Sequence, residues 1–217
     1  MNSSSQPPVA PISGDTTARS AHAIPLWVRW ASILWLIVWF PVYVRAWGAM
    51  NFLHLCDIAV FLGCAGLILE NSLLLSSQAV SSLLIDFIWT LDAAWRLILG
   101  RHLVGGTEYL FDAHYALGVR LLSLFHIALP AILVWALFRT GYDRRGFALQ
   151  SAIALGALLA SRWAGAAANI NFAFRDPFFH RSWGPAPLHI TVMFVVLAAG
   201  AYWPTHLALK RLFPQGK

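Results

Sequence analysis

The sequence predicts an all-α protein: a multi-pass integral membrane bundle of about six transmembrane helices. Of its 217 residues, 59% are hydrophobic and 11% charged, which leaves more apolar surface than one soluble core of this size can hide. Several runs reach or approach the roughly 20 apolar residues that a bilayer-spanning helix needs. The third observation is Asn51-Phe52-Leu53-His54-Leu55-Cys56-Asp57, which opens the apolar run from Ile58 to Leu69. Polar side chains in lipid are costly and usually face a bundle interior or a cavity. Any site is therefore expected around this stretch.

Residues 1–24 are polar and rich in Pro and Ser, and read as a disordered tail ahead of a single domain over 25–217. They lack the basic start and short apolar run of a secretory signal. The first span is about Leu26 to Val44, with Trp27, Trp30 and Trp47 as interfacial anchors and Pro41 near its end. The second is about Phe52 to Leu69. The third, about Leu73 to Leu99, carries Gln78, Ser82, Asp86, Asp92 and Arg96 within about 120° of one another on a helix, one polar stripe. Asp92 and Arg96 are i, i+4 and are expected to neutralise each other.

A turn-rich loop over 100–114 contains Gly105-Gly106-Thr107. The fourth span, about Tyr115 to Phe138, holds Arg120, Ser123 and His126. Pro130 cannot donate to the carbonyl of His126, so that group is free for another partner. After the charged turn Arg139 to Arg145, the fifth span runs from about Phe147 to Ala164. Its Ala152, Gly156, Ala160 and Ala164 form a small-residue ridge suited to close helix approach. A long loop, Ala166 to Ala186, precedes the sixth span, about Pro187 to Ala208, which contains His189.

The formal charge is +6, but the basic residues sit singly or in short groups at segment ends. They read as juxtamembrane anchors, and no nucleic-acid partner is expected. Eight Lys and Arg fall on the tails and even-numbered turns, six on the other side, and Arg120 lies inside. That balance favours a cell-membrane protein with cytoplasmic termini. Cys56 and Cys64 are i, i+8, about 12 Å apart along a helix, too far for a disulfide.

His54 and Asp57 are three apart and share a helix face. Cys56 lies about 160° around from His54, so its base must come from another segment, and His126 beside Pro130 is the candidate. The plainer reading makes Cys56 a small buried hydrophobe and His126 a satisfied contact histidine. His54, Asp57, His114, His126 and His189 offer metal-ligand types, but no i, i+4 His pair or internal symmetry organises them. No metal and no cofactor is expected.

His54-Leu55-Cys56-Asp57, Leu124-Phe125-His126, Asn169-Ile170-Asn171-Phe172 and Gly184-Pro185-Ala186-Pro187 occur in this order. Over about residues 51–205 that order resembles the YwaF-like family of integral membrane proteins. Its relatives are transmembrane phospholipid acyltransferases and, further off, the AIG/ADTRP lipid hydrolases. Phe172 stands where the family pattern has tyrosine. The resemblance implies a Cys56 nucleophile and a His126 general base, with Asn169, Asn171 and the Gly-Pro element shaping the site. Arg120 is suited to a lipid phosphate, and His54 and Asp57 complete the expected substrate-binding set. Membrane lipids, a phospholipid substrate among them, are the expected partners. Cys56 and His126 are expected to face each other across the interior, flanked by Asn171. The alternative is a non-catalytic carrier or assembly protein whose buried charges are structural or proton-conducting.

Overall fold

The computed structural model describes residues 24–214, and every described element is helical. The expected tail over residues 1–23 lies outside the described residues. Ile24 is already packed: it is buried, and its N–H donates to Glu70 Oε2.

Six passes follow one another in a bundle. They are α1 (Leu26–Trp47), α2 (Leu55–Leu69), α3 (Ser72–Leu99), α5 and α6 (Leu117–Leu122 and Phe125–Thr140), α7 (Gly146–Ser161), and α8 to α9. In the last pass α8 (Ala186–Leu197) and α9 (Trp203–Leu212) join through a π-helical turn, Ala198–Tyr202. Pro204 lacks the N–H that would bond the carbonyl of Gly200, which accounts for the widened turn. The short helix α4 (Glu108–Phe111) lies in the loop after α3.

Five of the passes are long and apolar enough to cross a membrane. The exception is α2, whose 15 residues span about 22 Å at 1.5 Å per residue, against a hydrocarbon core of about 30 Å. Its C-terminal end is tied to α1 by Glu70, whose Oε1 accepts from Arg29 Nη1 at 2.6 Å. Cys56 and Asp57 lie in the first turn of this short helix.

α3 is the central helix and packs on α2, α6, α7 and α9. Its stretch Leu75–Ser82 is buried throughout, four serines and Gln78 included. α1 sits at the periphery: Leu26, Trp27, Trp30, Leu34, Ile37 and Val38 are all exposed, as lipid-facing side chains should be. Its helix runs through Pro41 to Trp47 and stops at Gly48, φ +80°.

Two expectations are corrected. On α7 the packed face is Gly146, Gln150, Ala154, Ala157, Leu158 and Ser161. The ridge Ala152, Gly156, Ala160, Ala164 is not that face, and space around Gly156 is open. The close approach comes instead at Gly146, where a Cβ would lie 2.9 Å from the Ser76 carbonyl carbon and the Ser77 nitrogen. Nor do Asp92 and Arg96 pair. Asp92 Oδ1 accepts the backbone N–H groups of Leu103, Val104 and Gly105 at 2.7, 2.6 and 3.1 Å. Its Oδ2 takes the Thr107 hydroxyl and lies 3.1 Å from His102 Nδ1. Arg96 sits over the ring of Phe111 at 5.8 Å. Three converging N–H donors and a hydroxyl satisfy the buried carboxylate more completely than one flexible guanidinium on the same helix.

Candidate functional site

The chain reverses after Gly48 through a 3-10 turn, Ala49–Leu53, and His54 is extended at φ −60°, ψ 135°. His54 thus precedes α2, and Cys56 and Asp57 occupy its first turn. Asn51 organises the entry. Its Nδ2 donates to Asp57 Oδ2 at 2.6 Å, and its carbonyl lies 2.8 Å from His54 Nδ1. His54 and Asp57 are therefore joined through Asn51 rather than to each other.

Asn171 reaches the same turn from the loop after α7. Its φ is +52°, a conformation that asparagine tolerates better than most residues. Its Oδ1 accepts from Leu55 N at 3.0 Å, while Nδ2 donates to the Leu53 carbonyl at 2.7 Å and Ser161 Oγ at 2.9 Å. Asn169 does different work. Its Oδ1 accepts from Phe174 N and Arg175 N, and its Nδ2 donates to the Arg175 carbonyl, closing its own loop.

Asp57 of the same turn and Asp86 of α3 are the acidic neighbours of Cys56. The thiol lies 4.0 Å from Asp57 Oδ1 and in the field of the Asp57 and Asp86 carboxylates. Both carboxylates are buried, and Asp86 Oδ2 has no hydrogen-bond partner. Tyr43 OH, from α1, lies 2.9 Å from Ser123 Oγ, and the Tyr43 hydroxyl feels Asp57 and Cys56. From the loop, Tyr109 brings its hydroxyl near Ser123 and Trp89. Burial pushes that hydroxyl well above the ordinary tyrosine value, with Ser123 and Trp89 opposing and the Cys56 and Tyr43 charges adding. The Trp89 Nε1 faces this group without hydrogen-bond geometry.

His126 lies buried one turn beyond Ser123. Its Nδ1 is 2.8 Å from the Ser123 carbonyl, so Nδ1 carries the proton and Nε2 keeps the lone pair. The ring stacks on Trp89 at 4.4 Å and 9° and on Phe125 at 4.1 Å, which fixes its plane. No hydrogen bond joins the Cys56 thiol to the His126 imidazole: the thiol's polar neighbour is Asp57 and the imidazole's is the Ser123 carbonyl.

Arg120 points elsewhere: its Nη1 donates to the Leu110 carbonyl at 3.1 Å, and its buried Nε has no partner. His189 is fully engaged, Nε2 to the Phe172 carbonyl at 2.9 Å and Nδ1 accepting from Trp183 N at 3.2 Å. It is structural. Among the described residues, no group of three His, Cys, Asp or Glu is placed to hold a metal.

Tyr43 and Tyr109 are the site residues that the sequence does not flag. A tyrosine near a span end reads as an interfacial anchor, and no local pattern turns Tyr109 inward. No family model, curated protein or solved structure matches the chain.

Proposed function

We propose that the protein is an intramembrane acyl-transfer enzyme, a lipid acyltransferase or acyl hydrolase, with Cys56 as nucleophile and His126 as general base. The observation that carries the reading is the tautomer of His126. The Ser123 carbonyl takes Nδ1–H, which leaves Nε2 with its lone pair, as a general base requires. The resemblance to the YwaF-like family assigns the same two residues.

In the first step Nε2 accepts the Cys56 proton as Sγ bonds to the carbonyl carbon of a lipid ester. The ester C–O bond then breaks, and the leaving alkoxide takes the proton from the imidazolium. An acyl thioester remains on Cys56. A second lipid hydroxyl or water, deprotonated by Nε2, attacks it and releases the thiol. The first turn of α2 favours developing negative charge at Cys56, whereas ionised Asp57 and Asp86 would oppose it. Proton removal by His126 concerted with attack meets both conditions. With cytoplasmic termini, as the Lys and Arg balance favours, the Cys56 end of the bundle faces the opposite leaflet.

Reconstitution with a phospholipid carrying a labelled acyl chain and a lysophospholipid acceptor tests the reading. The expected result is an acyl mass on the Cys56 peptide, lost in Cys56→Ala and strongly reduced in His126→Ala. Absence of both the adduct and label transfer would overturn it.

One observation favours a second reading. Asp57 and Asp86 are buried without a salt bridge among the described residues, and Asp86 Oδ2 has no hydrogen-bond partner there, an arrangement that suits a proton carrier. Proton flux into vesicles that is lost in Asp86→Asn would select it.

A further inference from the structure

The loop after α7 joins two passes long and apolar enough to cross a membrane, Gly146–Ala164 and Ala186–Leu212. Both of its ends are therefore held at one membrane surface, the one where Asn171 bonds the start of α2. Large rings left exposed at such a place mark a contact with something apolar. Phe178 and Phe179 are 66% and 67% exposed, and Trp163, just before the loop, 82%.

Those rings do not sit on a slack segment. Asp176 is buried, and its Oδ1 accepts the backbone N–H groups of Phe178 and Phe179 at 2.9 and 2.6 Å. Its Oδ2 accepts that of Arg181 at 3.2 Å, and the Asp176 N–H donates to the Arg181 carbonyl at 3.0 Å. The turn 176–181 is thus closed on itself, with these N–H groups drawn inward and both phenylalanines left outside. Upstream, Asn169 Oδ1 holds the N–H groups of Phe174 and Arg175, and the Arg162 guanidinium lies 3.8 Å over the Phe174 ring. Downstream, His189 accepts from Trp183 N.

Arg175 and Arg181 stand at the two ends of this closed turn, both exposed. The one carboxylate between Arg162 and His189 is that of Asp176, and backbone N–H groups occupy it. Neither arginine has a salt bridge among the described residues. The Arg181 guanidinium lies over the Trp183 ring at 4.1 Å and over Phe179 at 5.5 Å, and the two rings meet edge-on at 5.9 Å. Stacking uses the face of a guanidinium and leaves its in-plane N–H fork for an acceptor such as phosphate.

We propose that the turn 175–183 lies in the lipid headgroup layer, where Phe178 and Phe179 reach the acyl boundary and Arg175 and Arg181 bind the phosphate of an anionic phospholipid. Rings flanked by cations are the side chains that this layer favours. A lipid fits the surface because both ends of the loop are tied to membrane passes and its unpaired charge is positive. This role needs no reaction at Cys56 and stands apart from acyl transfer.

The test uses the full chain with Cys56→Ala, Cys64→Ala and Ser182→Cys, labelled with an environment-sensitive fluorophore at position 182, in phosphatidylcholine vesicles containing phosphatidylglycerol. Ser182 is exposed and adjoins Arg181 without being one of the anchors. Acrylamide is expected to quench the label weakly. Phosphatidylglycerol spin-labelled at the headgroup end of its acyl chain is expected to quench it roughly fivefold more effectively than phosphatidylcholine labelled alike, the equivalent of one cation near an anionic surface. Arg175→Gln with Arg181→Gln is expected to bring the two lipids level, and Phe178→Ala with Phe179→Ala to raise the acrylamide quenching. All four side chains are exposed, so their loss spares the packed core. Acrylamide quenching as strong as for the free dye would overturn the proposal. So would equal quenching by the two lipids in the parent, or a preference indifferent to both arginines. Protection that grew with the protein-to-lipid ratio would assign the surface to a second copy of the chain and would overturn it as well.

Discussion

Asn171 Oδ1 accepts the backbone N–H of Leu55 at 3.0 Å, so a residue of the loop after α7 fixes where α2 begins, one position before Cys56. The same side chain donates to the Leu53 carbonyl and to Ser161 Oγ. Asn171→Ala removes all three bonds and leaves backbone groups unpaired. The expected cost is about 2–3 kcal/mol, read as a lower melting temperature in detergent. An unchanged melting temperature would show that water replaces the amide there.

Gly146 and Gly156 make a matched pair on α7. A Cβ at Gly146 meets the Ser76 and Ser77 backbone at 2.9 Å, whereas Gly156 has nothing within 4 Å. Gly146→Ala is expected to destabilise by about 1–3 kcal/mol through overpacking. Gly156→Ala is expected to be neutral or to stabilise by up to about 1 kcal/mol through helix propensity. Thermal unfolding of the two variants side by side checks both signs.

Buried amides join α3, α7 and the π turn. Gln150 Nε2 donates to Ser81 Oγ at 2.9 Å and to Tyr202 OH at 3.2 Å, and Gln78 Nε2 lies 3.5 Å from Gln150 Oε1. Gln150→Leu leaves these partners unsatisfied and is expected to cost about 1–3 kcal/mol. Gln78→Leu with Gln150→Leu should cost less than the sum of the two single changes, because the partners leave together. A double-mutant cycle by chemical denaturation measures the coupling, and strict additivity would show that the two amides act independently.

The turn before α7 gives a pH dependence. Hydrogen bonding from Arg145, at 2.7 Å from Nη2, holds the Asp143 carboxyl below its ordinary value of 3.8, with burial opposing. Because the folded value is the lower one, folding favours the ionised form. The contribution is complete above the unfolded value and is lost as pH falls through the folded value. Melting temperature is therefore expected to fall in acid below about pH 4, less steeply in Asp143→Asn. Arg145 is largely exposed, so added salt should weaken the difference.

Much of the fold was legible because span length is a local property of the chain. Apolar runs bounded by Gly48, Gly100, Gly141 and the charged 139–145 turn set the helices to within a few residues. The crowding of polar groups over 51–57 was equally legible. Its wiring was not: periodicity places His54 and Asp57 on one face only if both are helical, and His54 is the extended residue before α2.

Composition and run length suffice to make this chain an all-α bundle of apolar helices, because covering some 20 residues' worth of backbone polar groups in lipid leaves few alternatives to a helix. The order of residues also places polar side chains at one end of α2. Which groups those residues meet depends on contacts between segments distant in the chain. Asp92 binds loop N–H groups instead of Arg96, the small ridge of α7 is not its packed face, and the Tyr43 hydroxyl of α1 meets Ser123 between α5 and α6. The physical reason is that a helical period names a face without naming its neighbour. Where lipid tails and leucine side chains are equally apolar, burial provides no signal for which face turns inward. Hydrogen bonds between distant segments settle it, and their partners are not visible in either segment alone.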